Sequence, residues 1–232
     1  MKISVAGLII EIKNKYDHLL LLAKDYMTDE GEADMTVEAT EEEIALEGSQ
    51  SEVRYSDAYL ESIVVYRKIA ERLPSFDAFV FHGAVIAHGG KAYAITARSG
   101  VGKTTHLRIW QRVFGDSVYV LNGDKPIIRF IDGVPYACGT PWRGKENYGV
   151  PEMLPLSAIG FLERSEEPRA ELTTPADAQM RLVSQIYIPK DRINALRALG
   201  LADKTLKSVR LARIYADMSD EAAIVTRRVF EQ

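Results

Sequence analysis

The spacing of hydrophobic and polar positions changes several times along this chain, and each change predicts an element. The opening "KISVAGLIIEI" is rich in strand-forming residues, "YDHLLLLAKDYM" reads as a short helix, and "ADMTVEAT" returns to strand-like composition before the acidic "EEE". In "SDAYLESIVVYRKIAERLP", Leu60, Ile63, Val64 and Ile69 recur at helical spacing, Ser56 or Asp57 offers a cap, and Pro74 stops the run. Residues 1–73 are therefore expected to form a small α+β module ending in a connecting helix, ahead of a larger unit over residues 74–232.

From residue 78 strands dominate. "FVFHGAVIA" and "KAYAITA" flank Gly89-Gly90, and "PIIRFI" and "VPYACG" flank Asp132-Gly133; both dipeptides suit the positive φ of two-residue hairpin turns. Two antiparallel hairpins thus bracket the stretch "TARSGVGKTTH". Beyond Pro155, "LSAIGFLER" reads as a strand, and "PADAQMRLVSQIY" and "RINALRALGL" as helices. In "SDEAAIVTRRVFEQ", Ser219 is placed to cap a last helix, with Asp220 and Glu221 in its first turn, where negative charge offsets the helix dipole.

Composition narrows the function classes. A net charge of -4 over 232 residues gives no electrostatic reason to expect nucleic acid. No apolar run approaches the roughly 20 residues of a membrane span, and the first residues meet Glu11 and Lys13 too early for a secretory signal. Cys138 is the single cysteine, which excludes an internal disulfide and a cysteine-rich metal site and fits a reduced cytoplasm. Its simplest reading is a small buried residue.

Residues 97–104, "ARSGVGKT", follow the phosphate-loop pattern G-x-x-x-x-G-K-[ST] with Ala97 in place of the first glycine. The candidate nucleotide-binding stretch is Ala97, Arg98, Ser99, Gly100, Val101, Gly102, Lys103, Thr104 and Thr105. Successive backbone N–H groups around the two glycines, the positive end of a helix starting at Lys103, the ammonium itself and a Thr104 hydroxyl for Mg²⁺ would together hold phosphate. On the plainer alternative the glycines only turn the chain. Lys103 argues against it, because a lysine at a helix N-terminus opposes the dipole unless an anion neutralises it.

Other candidates carry alternatives of their own. Asp124, after the apolar run "VYVL", is either a proton acceptor or metal-holding carboxylate facing a γ-phosphate, or a turn residue. His82, on the first strand of the hairpin, is either a hydrogen-bonded structural histidine or part of the site. Glu146, in "TPWRGKENYG", is a solvated loop charge, a Mg²⁺ ligand or a phosphate contact. Trp142 is a core aromatic or a base-stacking surface. A guanine-reading N-K-x-D element does not occur; "LNGDK" holds related letters in another order.

The pair His82-Gly83, the hairpin and "ARSGVGKT" together resemble the catalytic domain of bacterial HPr kinase/phosphorylase, within the phosphoenolpyruvate carboxykinase-like fold, over residues 78 to 195. That resemblance implies a mixed, largely antiparallel sheet with a phosphate loop, ATP or another nucleoside triphosphate with Mg²⁺ as cofactors, and His82 as an active-site residue. It also implies phosphate clamping by Lys103, Mg²⁺ ligation by Thr104 and Glu146, a catalytic arginine at Arg192 in "IYIPKDRIN", and Asp124 as the base. The family's Asp-Asp pair reads Gly123-Asp124 here. Residues 1–73 do not resemble that enzyme's leading domain. The expected function is a kinase, cytoplasmic and monomeric or a small oligomer, passing a γ-phosphoryl group to a hydroxyl, such as serine, of a protein, peptide or small molecule. A nucleotide-binding regulatory module with weakened turnover is the alternative, and carboxykinase chemistry a distant third.

Overall fold

Ala6 and Gly7, both at positive φ, turn β1 (Lys2–Val5) back into β2 (Leu8–Lys13). The structure, a computed structural model, describes residues 1–98 and 100–232. After α1 (His18–Leu22), β3 (Met35–Glu38) joins β2 in parallel to complete a three-stranded sheet. The acidic run that follows forms α2 (Glu41–Ser49), a helix the hydrophobic pattern does not announce. Its capping box was nonetheless present in the letters: Thr40 Oγ1 accepts from the Glu43 N–H at 3.2 Å, and Glu43 accepts from the Thr40 N–H at 2.8 Å. The long helix α3 (Asp57–Arg72) starts at Ser56, whose hydroxyl oxygen accepts from the Tyr59 N–H, as the sequence predicts.

The run "FVFHGAVIA" is not one strand. It divides into β4 (Ala78–Val80) and β5 (Ala84–His88), and Phe81-His82-Gly83 links them, so His82 lies in a break and not on a hairpin strand. The break arises because the two halves pair differently. β4 pairs with β8 (Ile127–Ile131), whereas β5 lies between β6 (Lys91–Thr96) and β7 (Val118–Asn122). Between β6 and β7 the chain forms the loop and α4 (Lys103–Phe114), and after β8 it forms β9 (Val134–Cys138). The hairpin residues Gly89, Gly90, Asp132 and Gly133 all adopt positive φ, as the sequence predicts.

Next come β10 (Met153–Arg164), β11 (Arg169–Leu172), α5 (Pro175–Val183), α6 (Arg192–Ser208), β12 (Arg210–Ala216) and α7 (Asp220–Phe230). Ser219 occupies the cap position of α7 without a side-chain capping bond. The principal sheet has nine strands, with the path β4-β8-β9-β10-β6-β5-β7 and with β12 and β11 branching from β10. β10 runs parallel to β6 and β12, and the other named pairings of this sheet are antiparallel.

Strand alternation builds the layers. Val85, Ala87, Ala92 and Ala94 face a core shared with α5 and α6, and Ala84, Ile86, Tyr93 and Ile95 face one shared with α4 and α7. In the second core the Tyr93 ring stacks on Phe230 with centroids 5.5 Å apart. A third core joins the three-stranded sheet and α3 to Ala78, Val80, Ile127 and the buried Cys138, whose thiol burial pushes up to about 12. Trp142 packs against that core with its ring 5.3 Å from Tyr66 and its indole N–H on the Ser62 carbonyl. Among the described residues no helix is long and apolar enough to cross a membrane.

Candidate functional site

The loop begins where β6 ends and closes into α4. Gly100 and Gly102 take φ of +78° and +121°, values that side-chain-bearing residues adopt only under strain, and Lys103 is the first helical residue. The opening turn of a helix leaves N–H groups without intrahelical partners, and α4 presents that turn at the end of the loop. The first turn of α4 contains no acidic residue. Lys103 is half-buried and its ammonium folds back to donate to the Ala97 carbonyl at 3.2 Å. Burial holds its pKa below the ordinary lysine value, and Lys125 adds to that effect while Asp124 opposes it. Arg98 is exposed, Val101 and Thr104 are partly buried, and Thr105 is exposed. Ser99 lies outside the described residues.

The outer wall of the loop is held by a residue the sequence reading passed over. Arg164, the last residue of β10, donates to the Gly100 carbonyl at 2.5 Å and to the Val101 carbonyl at 3.0 Å. The Val101 N–H between those two carbonyls donates to the Arg98 carbonyl at 3.3 Å, so the turn is held from within as well. The parallel pairing of β10 with β6 brings Arg164 there.

Asp124 follows β7, two strands from the loop in the sheet. Its place is fixed by Asn122, which is fully buried: the Asn122 Oδ1 accepts from the N–H of Asp124 (2.9 Å) and of Lys125 (2.8 Å). The Asn122 amide donates in turn to the Thr140 carbonyl and hydroxyl, each at 3.1 Å. The Asp124 carboxylate lies 3.4 Å from His82 Nε2 and 3.8 Å from the Lys125 ammonium. Burial works to raise its pKa, but the hydrogen bond from His82 and the charges of Lys125, His82 and Lys103 outweigh it and hold the carboxyl below the ordinary aspartate value. Lys125 is itself held below the usual lysine value by burial, with Asp124 opposing.

His82 is anchored through its backbone. Its N–H donates to the Gln185 carbonyl at 2.6 Å, its carbonyl accepts from the Thr96 hydroxyl at 2.8 Å, and Gly83 N–H donates to the Asp124 carbonyl at 3.1 Å. The break between β4 and β5 therefore ties the end of β6 to the turn carrying Asp124. His82, Lys103 and Asp124 form one electrostatic group, with Lys125, a lysine of "LNGDK" that no motif marks, as a fourth member.

No protein-family model matches the chain, and no curated protein matches it. Among solved structures it is similar to the HPr(Ser) kinase/phosphatase from Coxiella burnetii, over 66% of this chain and 88% of that one, at 8% identity and a TM-score of 0.38. A likeness that distant carries no argument about the site, whose reading rests on its own geometry.

Gly123 is closely covered. A Cβ there would stand 3.0 Å from the Arg143 carbonyl oxygen and 3.4 Å from that of Tyr148, and Gly123 N–H already donates to Tyr148. The segment from Arg143 to Tyr148 thus lies directly over Gly123. Arg143 anchors the segment from beneath, with a guanidinium 2.7 Å from Asp25 and 5.3 Å from the Tyr26 ring centroid. Glu146, on the same segment, is exposed and pairs with Arg108 of α4 at 2.7 Å. Arg192 is the exposed first residue of α6, and among the described residues no hydrogen bond or ion pair joins it to the Asp124 group. Among those residues, too, no three His, Cys, Asp or Glu side chains gather as a metal site.

Proposed function

We propose that the chain is a nucleoside triphosphate-dependent kinase that passes the γ-phosphoryl group to a hydroxyl, such as that of serine, on a protein, peptide or small molecule. The observation that carries this reading is Lys103 opening α4 directly after a loop whose glycines take positive φ, together with an Asp124 carboxylate 3.4 Å from His82 and 3.8 Å from Lys125. Phosphoryl transfer asks a protein mainly for positioning and charge neutralisation, and that group supplies both.

In this reading the loop N–H groups and the start of α4 bind the polyphosphate, and the Lys103 ammonium exchanges the Ala97 carbonyl for phosphate oxygens. The acceptor oxygen attacks the γ-phosphorus, the bond to the bridging oxygen breaks, and the acceptor proton passes to Asp124. A bound polyanion draws Lys103 and Lys125 toward itself and adds negative charge beside Asp124, which raises the proton affinity of a carboxylate otherwise too weak as a base. The Thr104 hydroxyl and Asp124 carboxylate suit Mg²⁺, which takes one or two carboxylates with phosphate oxygens and keeps several waters. When bound, the ion would offset charge on the phosphates. Glu146 would join it only by leaving Arg108.

A second reading, a regulatory module that binds nucleotide with little turnover, is favoured by Gly123, where the overlying segment would crowd a second acid. Thermal melting with Mg²⁺ and ATP, GTP, ADP or pyrophosphate tests the phosphate site that both readings need. At 100 Kd of ligand the gain is about 2.7 kcal/mol, or roughly 5–10 °C for a chain of this size. A flat melt with every ligand sinks both readings. If nucleotide binds but wild type and Lys103→Ala release phosphate equally slowly, the regulatory reading replaces the kinase.

A further inference from the structure

On the β10 side of the loop opens a cleft of about 720 Å³, within the range of roughly 300–1,000 Å³ typical of small-ligand sites. Ala97 and Val101 of the loop, Leu162 and Arg164 at the end of β10, and Met180 and Ser184 of α5 and its cap face it. We infer that this cleft takes the nucleoside of the bound triphosphate, an inference that rests on the kinase reading's phosphate site.

The strand order sets the direction. In the path β10-β6-β5-β7, the loop grows from β6, the Asp124 group lies on the β7 side, and the cleft lies on the β10 side. A polyphosphate held by the loop with its terminal phosphate toward Asp124 leaves the loop on the opposite side, where this cleft begins. The lining matches the chemistry of a base and sugar. Met180 offers an apolar wall for a ring face, being 77% exposed on the side of α5 away from the buried Ala178 and Leu182, and the partly buried Val101 adds apolar surface at the loop. Arg98 and Arg164 add positive charge at the loop end of the cleft, next to where the inner phosphate would emerge.

Polar groups along the rim are fixed in orientation. Gln185 accepts from the Thr96 hydroxyl through Oε1 (3.2 Å) and donates to the Ser184 carbonyl at 3.1 Å. Glu163 is pinned by Arg181 at 2.8 Å and Arg213 at 3.2 Å. An acceptor hydroxyl has to reach Asp124 on the other side of β6, so a nucleoside here leaves its path clear.

Calorimetric titration of the full chain with Mg-ATP and with Mg-tripolyphosphate, which lacks a nucleoside, tests the inference in wild type, Met180→Asp and Ser184→Trp. Both positions are exposed, and tripolyphosphate binding reports that each variant is folded. The expected result is that both variants bind ATP at least about tenfold more weakly and tripolyphosphate within about twofold of wild type, tenfold being about 1.4 kcal/mol. Equal changes for the two ligands, or none for either, overturn the nucleoside assignment and leave the phosphate site standing. Failure of wild type to bind either ligand defeats the kinase reading itself and takes this inference with it.

Discussion

His82 Nε2 lies 3.4 Å from Asp124 Oδ1, although the two residues belong to different turns at the same end of the sheet. The histidine reaches the carboxylate because the chain leaves one strand pairing at Val80 and joins another at Ala84. The first consequence concerns the base. Asp124→Asn is expected to lower phosphoryl transfer by about 10²- to 10⁴-fold, the usual contribution of a positioned base, while binding of metal-free tripolyphosphate survives. Labelled-nucleotide transfer and titration, run side by side, check it.

The same contact sets a pH dependence. In the free protein the Asp124 carboxyl is held below its ordinary value of about 3.9, so it stays ionised throughout the neutral range, and kcat/KM is lost only as pH falls through that lowered value. Removing His82 takes away the hydrogen bond that does most to lower it. His82→Ala should therefore move the acid limb of the pH–rate profile upward, and an unmoved limb would show that the contact does not tune the base.

Gly123 is expected to resist an added carboxylate. Gly123→Asp puts a side chain against the carbonyls of Arg143 and Tyr148, and overpacking of this kind destabilises by about 1–3 kcal/mol. Denaturant titration should show the loss, with Gly123→Ala giving a smaller one. Transfer activity should not rise in either variant.

Arg164→Ala removes two hydrogen bonds to the loop at an exposed position, so stability should change little while tripolyphosphate binding weakens by roughly three- to tenfold. Arg164→Lys supplies a single charge in place of the fork and should recover only part of it. Titration against melting temperature separates loop positioning from general stability.

His106, on the buried side of α4, supplies a stability prediction independent of function. The Trp110 indole N–H donates to its Nε2 at 3.1 Å, its Nδ1 is buried without a partner among the described residues, and burial lowers its pKa to about 4. The unfolded chain, titrating near 6.5, binds the proton more readily, so stability falls as pH drops from 6.5 toward 4. At pH 5 the loss from this group is on the order of 2 kcal/mol relative to pH 7. His106→Leu should flatten that part of a stability–pH curve measured by urea unfolding.

Much of this architecture was legible because it is local. The cap at Ser56, the positive-φ hairpin turns and the helix beginning at Lys103 each depend on a few neighbouring residues. What escaped was set at a distance. An unbroken apolar run cannot reveal that its halves pair with different partners, which hid the break at His82. β12 was missed because "RLARIYA" carries two arginines, and its place comes from pairing in parallel with β10, about 50 residues earlier in the chain. Lys125 and Arg164 were likewise ordinary charges until the sheet carried them to Asp124 and to the loop. Asp124 was readable from its position after a strand, and its cationic surroundings were not.

The contacts of Arg143 bear on where this chain can be cut. Asp25 and Tyr26 lie beneath its guanidinium, the Ser62 carbonyl receives the neighbouring Trp142 indole, and Glu71 accepts from both the Tyr187 hydroxyl and the Lys190 N–H. A fragment started at residue 74 would forfeit all of these footings at once. The strap above Gly123 would then slacken, and a silent fragment would say nothing about whether the chemistry itself resides in the remainder.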